Sequence, residues 1–311
     1  MYLGSVKFFK HLILLTLGLV LLVPVGLATH YALINVQLNK ELQALKLSNL
    51  ANLVYVQQRE TEPVWQHSFQ ATEEGVTDYN FDLEYQNLYE DLYVGEIPKQ
   101  ERASNAIYLT FDDGPSQLTL KILDVLLEKK VKATFFVVGK NLESENGEHI
   151  LKRIVQEGHA VAIHTYSHNY SEIYGSIEDY LRDFYKTYDL IYRITDIKPD
   201  IYRFPGGSIN SYNNTIYQEL ISEMFRRGFV YYDWNVSSRD VAGKVTQQQI
   251  YDYVVPSCLK NSRNIILFHD SAGKVNTLKA LPAIIDELTA EGYQFETLSR
   301  NVAPITFGYR D

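Results

Sequence analysis

Residues 105–300 alternate between short apolar segments and amphipathic stretches with helical spacing, and this alternation most constrains the fold. The predicted strands are 106–111, 132–138, 159–163, 201–204, 229–234, 264–268 and 293–298. The predicted helices are 117–130, 148–157, 176–196, 211–227, 246–260 and 276–291. Strands that alternate with helices predict an α/β domain built on a parallel sheet. Seven strands favour a distorted, incomplete (β/α) barrel over an open sheet, although periodicity alone fits both.

Polar residues stand where most of these strands end. They are Asp112, Asp113, His164, Arg203, Asp233, His269 and Asp270. In a parallel barrel the carboxyl ends of all strands open onto one face, where active sites form. A lone aspartate at a strand end is as readily a helix cap, but its repetition at strand after strand favours a functional site.

Two histidines four residues apart, His164 and His168, follow the third predicted strand. Together with one carboxylate they make a three-ligand set that leaves a coordination position open, as in catalytic rather than structural zinc sites. Such a histidine pair is weak evidence by itself and gains weight from the aspartates at the neighbouring strand end.

Five motifs occur in the order found in polysaccharide deacetylases, the family-four carbohydrate esterases with a nodulation-protein-B homology domain. They are 110–114 (TFDDG), 164–168 (HTYSH), 203–207 (RFPGG), 233–240 (DWNVSSRD) and 267–270 (LFHD). The chain resembles this family from about residue 105 to residue 298. The third motif with its following serine is similar to that of bacterial peptidoglycan N-acetylglucosamine deacetylases.

The resemblance implies a metal-dependent hydrolase and assigns a role to each motif residue. The implied metal ligands are Asp113, His164 and His168, with Zn²⁺ expected and Co²⁺ or Ni²⁺ as possible substitutes. The implied catalytic residues are Asp112 as base, Arg203 as its partner and His269 as acid. The implied substrate contacts are the backbone N–H near Gly206, for the oxyanion, and Leu267, for the acetyl methyl group.

The fourth motif departs from the family pattern at Ser237, where many members carry an aspartate that tunes the catalytic histidine. A neutral serine cannot raise the pKa of an imidazole as a carboxylate can. Asp233 and Asp240 are the candidate replacements. Asp233 alternates onto the same strand face as Ser237, whereas Asp240 lies in the following loop, and we expect Asp240 to take this role.

The amino terminus predicts a membrane anchor. Residues 11–39 contain no Asp, Glu, Lys or Arg, and this run is long enough to cross a bilayer. Lys7 and Lys10 precede it, so the positive-inside rule places the later residues outside the cytoplasm. A cleaved signal peptide is the competing interpretation, because small residues follow the apolar run.

These features divide the chain into four parts. Residues 1–34 form the cytoplasmic tip and signal anchor, 35–104 a juxtamembrane helix and acidic stalk, 105–300 the catalytic domain and 301–311 a tail. Residues 55–104 contain eleven acidic and three basic residues, and thus carry nearly all of the net charge of −9. This composition favours an extended spacer, and the acidic balance argues against a nucleic-acid partner.

We expect a monomeric catalytic domain that removes N-acetyl groups from an extracytoplasmic glycan, most readily peptidoglycan, because an anchor and spacer would hold it near the wall. Two alternatives stay open. An O-acetyl esterase acting on a polysaccharide would use the same residues, and a glycan-binding protein without catalysis would use the same fold. The second alternative is expected to lose ligands or the base, and this chain retains them.

Overall fold

The computed structural model describes residues 83–241 and 244–308, and most of the predicted stalk and all of the predicted anchor lie outside these ranges. The described strands are β1 (Ala106–Asp112), β2 (Ala133–Val137), β3 (Ala160–Ile163), β4 (Ile201–Tyr202), β5 (Val230–Tyr231), β6 (Val236–Ser237), β7 (Arg263–His269) and β8 (Gln294–Phe295). The described helices are α1 (Gln117–Lys129), α2 (Gly139–Leu142), α3 (Gly147–Gln156), α4 (Tyr170–Ile173), α5 (Ile177–Thr195), α6 (Tyr217–Arg226), α7 (Gln247–Cys258) and α8 (Val275–Ala290), with a 3₁₀ turn at Glu84–Asn87.

The strands form one parallel sheet in the order β5-β4-β3-β2-β1-β7-β6, and β8 pairs with the start of β1. No pairing joins β5 to β6 among the described strands. The sheet is therefore a half-barrel, which confirms the predicted α/β class and parallel sheet. The central strand β1 is buried along its whole length, because its two faces pack into two separate apolar clusters, one shared with the helices and the other formed by the inner faces of the strands.

The register of the sheet brings the motif residues together. Asp112, the last residue of β1, lies opposite His269 at the end of β7. His164 follows the last residue of β3, and Arg203 follows the last residue of β4. These strands are parallel, so all of these side chains lie at the same end of the sheet.

Most predicted elements are confirmed within two residues. The exceptions are α6, which begins at Tyr217 instead of residue 211, and strands β5 and β8, which each end three residues earlier than predicted. Strands β4 and β5 are only two residues long, because the chain leaves the sheet where Arg203 donates hydrogen bonds to the carbonyl groups of Tyr232 and Asp233. The two-residue strand β6 and the four-residue helices α2 and α4 were not predicted. Elements this short contain less than one full period of any hydrophobic pattern.

Residues 83–104 pack on the sheet and helices instead of extending as the expected spacer. Tyr85 and Leu92 are buried, and the guanidinium group of Arg227 donates hydrogen bonds to the carbonyl oxygens of Tyr85 and Tyr89, each at 3.0 Å. Arg227 is itself paired with buried Glu223, with a distance of 2.6 Å between Nε and Oε1. This segment is therefore held against the domain by its buried apolar residues, despite its acidic composition.

No helix within the two described ranges has the length and apolar character needed to span a bilayer. The predicted anchor in residues 1–34 falls outside those ranges, so it stays a prediction.

Candidate metal and catalytic site

Three side chains converge on a common point at the carboxyl end of the sheet. The Oδ1 atom of Asp113 lies 3.1 Å from Nε2 of His168 and 3.5 Å from Nε2 of His164. One potential ligand atom from each of the three residues lies within 4.8 Å of the other two. One carboxylate and two imidazoles are a donor set suited to a catalytic divalent metal, and these are the three residues that the resemblance implied as ligands.

The backbone that carries these ligands is held in an unusual conformation. Asp113, Thr165 and His168 have φ angles of 72°, 63° and 53°, in the left-handed region that non-glycine residues rarely adopt. Asp183 helps to hold the histidine loop, because its carboxylate accepts a hydrogen bond of 2.5 Å from the backbone N–H of Tyr166. Strained backbone of this kind clusters at functional sites.

The ring of His164 is oriented by the backbone behind it. Its Nδ1 atom lies 2.9 Å from the carbonyl oxygen of Arg203, and a carbonyl can only accept, so Nδ1 carries the proton. Burial lowers the pKa of His164 to about 4, which keeps the ring neutral. The Nε2 lone pair therefore faces Asp113, in the arrangement that second-shell contacts impose on metal-ligating histidines.

Asp113 is ionised in this setting. Burial works against its charge, but the hydrogen bond with His168 and the electrostatic influence of the histidine pair outweigh burial and lower the pKa of Asp113 below its usual range. An anionic Asp113 beside a neutral His164 provides the deprotonated ligands that metal binding requires.

Asp112 is held by a fully buried arginine. Nη1 of Arg203 donates to Oδ1 of Asp112 and to Oγ1 of Thr110, each at 2.8 Å. Nε of the same guanidinium donates to the carbonyl of Tyr232 at 2.7 Å. The other carboxylate oxygen, Oδ2 of Asp112, lies 3.8 Å from Nε2 of His164. One oxygen is thus fixed in place and the other faces the metal ligands.

His269 is paired with Asp240. Oδ1 of Asp240 lies 2.7 Å from Nδ1 of His269, and Oδ2 accepts hydrogen bonds from the His269 backbone N–H at 3.0 Å and from Oγ1 of Thr277 at 2.8 Å. Burial lowers the pKa of His269, but the hydrogen bond and charge of Asp240 outweigh it and raise that pKa above its ordinary value. The pKa of Asp240 is correspondingly lowered against the effect of its own burial.

Asp233, the other candidate partner, is engaged elsewhere. Its carboxylate accepts hydrogen bonds from the backbone N–H of Ser208 at 2.8 Å, from Oγ of Ser208 at 2.5 Å and from the backbone N–H of Phe307 at 2.7 Å. It thereby joins the loop after β4 to the carboxyl-terminal segment. Only Asp240 of the two carboxylates contacts His269.

Asp270 lies beneath the first motif. Its Oδ2 atom accepts a hydrogen bond of 2.6 Å from Thr119, and a Cβ on Gly114 would lie only 2.2 Å from that oxygen. Burial raises the pKa of Asp270 to about 7. This residue therefore supports the loop after β1.

The remaining two predicted contacts lie near these groups. Gly206 is exposed with a φ of 79°, and no hydrogen bond from its N–H to any described residue is found. A Cβ at this position would lie 2.8 Å from the ring of Tyr170, so only glycine fits. Leu267 lies on β7 beside Thr110 of β1 and Ser237 of β6, and its side chain is nearly buried.

Two tyrosines beside the site were not singled out by sequence reasoning. The Tyr170 ring contacts the His168 ring edge to face at 5.4 Å, and Tyr212 contacts Tyr170 at 5.0 Å between centroids. The position of Tyr170, two residues after His168, could have indicated it. Nothing in the sequence around Tyr212 marks it, because that loop has no periodic pattern.

Asp113, His164 and His168 can together bind a divalent metal, Asp112 can accept a proton and His269 can deliver one. Such a set suits hydrolysis of a carbonyl compound whose leaving group must be protonated.

The chain matches the model of a family described as polysaccharide deacetylase over residues 99–225. A putative polysaccharide deacetylase of Bacillus subtilis is 33% identical, over 72% of this chain and 78% of that protein. A peptidoglycan-N-acetylglucosamine deacetylase of Bacillus cereus is 34% identical, over 62% of this chain and 66% of that protein. Among solved structures, the catalytic domain of peptidoglycan N-acetylglucosamine deacetylase from Eubacterium rectale superposes with a TM-score of 0.64 at 32% identity, covering 70% of this chain and 98% of that one.

Proposed function

This chain belongs to the polysaccharide deacetylase family, and from that premise we propose that it hydrolyses the N-acetyl groups of peptidoglycan in a metal-dependent reaction. The observation that carries the proposal is the convergence at one end of the sheet of Asp113, His164 and His168 with two buried pairs, Asp112–Arg203 and His269–Asp240.

The three converging side chains fit a divalent metal. They supply one anionic oxygen and two neutral nitrogens, and the His164 ring is already oriented with its lone pair toward the common point. Zinc is the ion that this donor set suits best, and cobalt or nickel can replace it. When bound there, a divalent metal supplies Lewis acidity to the acetyl carbonyl and to the attacking water.

Asp112 acts as the general base. Arg203 fixes its Oδ1 atom through a hydrogen bond of 2.8 Å, which leaves Oδ2 free to accept a proton from water as the water attacks the carbonyl carbon. The oxyanion that develops on the carbonyl accepts a hydrogen bond from the N–H of Gly206, which needs no reorganisation because the loop is already folded.

His269 acts as the general acid. Asp240 holds its Nδ1 side at 2.7 Å, so Nε2 is the atom that faces outward and delivers the proton. An amine departs from the tetrahedral intermediate only when its nitrogen is protonated, whereas an alkoxide leaving group needs less assistance. A carboxylate-supported imidazolium therefore favours amide hydrolysis over the O-acetyl esterase alternative. Leu267 provides an apolar surface for the methyl group of the departing acetate.

The choice of peptidoglycan rests on similarity and on the amino-terminal sequence. The names of the similar proteins from Bacillus cereus and Eubacterium rectale specify peptidoglycan N-acetylglucosamine. The uncharged run of residues 11–39 would anchor the chain in the membrane by a single pass, with the catalytic domain outside the cytoplasm. An enzyme held in this way works on the glycan next to the membrane.

The test is to treat purified peptidoglycan with the purified protein and to analyse the released muropeptides by mass spectrometry. We expect acetate release and loss of acetyl mass from N-acetylglucosamine residues, abolition by a chelator and recovery with Zn²⁺. An O-acetylated xylan serves as the comparison substrate. Acetate released only from the xylan would refute the N-deacetylase proposal, and release from neither would favour a binding protein.

A further inference from the structure

One tyrosine beside the site presents its side chain to solvent. Tyr212 is 56% exposed, and two successive ring contacts, of 5.0 Å to Tyr170 and of 5.4 Å from Tyr170 to His168, connect it to a metal ligand of the proposed site. Single exposed apolar side chains are common on protein surfaces, so the position of this ring is what distinguishes it.

The loop that carries Tyr212 is fixed by side-chain amides. Oδ1 of Asn210 accepts hydrogen bonds from the backbone N–H of Tyr212 at 2.9 Å and of Asn213 at 3.2 Å. Nδ2 of Asn210 donates to the carbonyl of Gly207 at 3.0 Å, and the buried Asn213 donates to the carbonyl of Ser208 at 3.0 Å. The ring is thus presented by a well-held loop, so little entropy would be lost when a ligand stacks on it.

The same loop contributes the proposed oxyanion donor. Gly206 lies against Tyr170, whose ring would be 2.8 Å from any Cβ at that position, and Tyr170 in turn contacts Tyr212. A substrate whose carbonyl reaches the N–H of Gly206 therefore lies beside Tyr170, and a longer substrate can extend from there to Tyr212.

We propose that Tyr212, backed by Tyr170, is a specificity-determining residue that stacks on the sugar next to the one being deacetylated. This inference rests on the proposed function. In β-linked sugars of gluco configuration the substituents are equatorial, so the ring faces carry C–H groups. Those C–H groups match the negative face of an aromatic ring. The substrate class is accordingly a β-linked glycan of at least two such sugars, and a monosaccharide cannot use this contact.

The experiment measures acetate release from β-1,4-linked N-acetylglucosamine oligomers, from the monomer to the pentamer, by the wild type and by Tyr212→Ala. We expect the KM for the tetramer to rise about tenfold, from the loss of an aromatic contact. The kcat should change less than twofold, and kinetics on the monomer should be unchanged. Tyr212→Trp and Tyr212→Phe should restore the wild-type KM, because either keeps the aromatic face.

Tyr93→Ala is the matched control, since Tyr93 is similarly exposed, at 51%, and lies in the amino-terminal segment. It should leave all constants unchanged. A KM that rises equally for every oligomer length, or a fall in kcat with KM unchanged, would overturn the stacking role.

A binding measurement separates this inference from the proposed reaction. Calorimetric titration of the tetramer into Asp112→Asn, with and without Tyr212→Ala, should show about tenfold weaker binding in the double variant. If the wild type released no acetate while this difference persisted, the reaction would be refuted and the sugar contact retained. Equal affinity in the two variants would refute the sugar contact, whatever the wild type releases.

Discussion

Replacing Asp240 by asparagine removes the negative charge that faces Nδ1 of His269 at 2.7 Å. Two competing influences act on this imidazole. Burial favours its neutral form, and Asp240 favours the imidazolium; at present Asp240 prevails and the pKa of His269 is raised. Without that carboxylate the influence of burial remains, so the pKa of His269 should fall. A general acid must be protonated to act, and its loss of the proton sets the alkaline limb of the pH–rate profile.

The size of the expected pKa change follows from the strength of the hydrogen bond between Asp240 and His269. A hydrogen bond to a charged group contributes about 1.5–3 kcal/mol, and one pKa unit corresponds to about 1.4 kcal/mol. The alkaline limb of Asp240→Asn should therefore move roughly one to two units toward lower pH. Above the displaced limb the rate should fall about tenfold to a hundredfold. Bound metal should be unchanged, because Asp240 contacts no proposed ligand.

The assay is acetate release across a pH series, with metal content measured on the same samples. Asp233→Asn is the paired control, since that carboxylate contacts Ser208 and Phe307 and should leave the limb in place. A displaced limb in Asp233→Asn with an unmoved one in Asp240→Asn would transfer the tuning role to Asp233. If neither moved, His269 would act without a carboxylate partner.

Three further predictions concern the metal, the domain boundary and the membrane. His164→Ala should lose both bound metal and activity, whereas Asp112→Asn should keep the metal and lose at least about a hundredfold in turnover. Elemental analysis measures the metal, and acetate release measures the turnover. Loss of metal from both variants would contradict the assignment of Asp113 as ligand and Asp112 as base. A chain that begins at residue 105 should be less stable to denaturant than one that begins at residue 83, by about 3–6 kcal/mol. The shorter chain lacks the buried side chains of Tyr85 and Leu92 and leaves Arg227 without its carbonyl partners. Equal stability would show that residues 83–104 do not contribute to the stability of the fold. Full-length protein should fractionate with membranes and be cleaved by external protease, whereas a shortened form in the medium would indicate a cleaved signal peptide.

The long elements could be predicted from the sequence because their patterns span several periods. Strand β1 is a continuous apolar segment that ends at Asp112, and it was placed within one residue. The same clear pattern located the strand ends at which Asp112, Asp113 and His164 lie, whereas the assignment of the ligands came from the family resemblance. Prediction failed where local composition and packing disagree, as in residues 83–104. There the acidic residues suggested a spacer, but Tyr85 and Leu92 are buried, and the carbonyl of Tyr85 accepts a hydrogen bond from Arg227, which is far away in the sequence.

The carboxylate partner of His269 shows a second limit of prediction from the sequence. If residues 233–237 formed one extended strand, Asp233 and Ser237 would lie on the same face of it. In the structure, strand β5 ends at Tyr231 and β6 begins at Val236. The intervening residues do not alternate as a strand, and Asp233 turns toward Ser208 instead. The choice of Asp240 agreed with the contacts in the structure, although the sequence could not supply the distance.

The left-handed backbone at Asp113, Thr165 and His168 has a consequence for how the proposed site would bind a metal. Holding non-glycine residues in this region costs of order 1–3 kcal/mol each, and that energy is spent when the chain folds. A metal would therefore meet ligands already in position, and its binding free energy would not be needed to organise them. Relaxing one of these turns, for example with Thr165→Gly, should weaken the binding of a divalent metal, because part of the binding free energy would then be needed to order the loop.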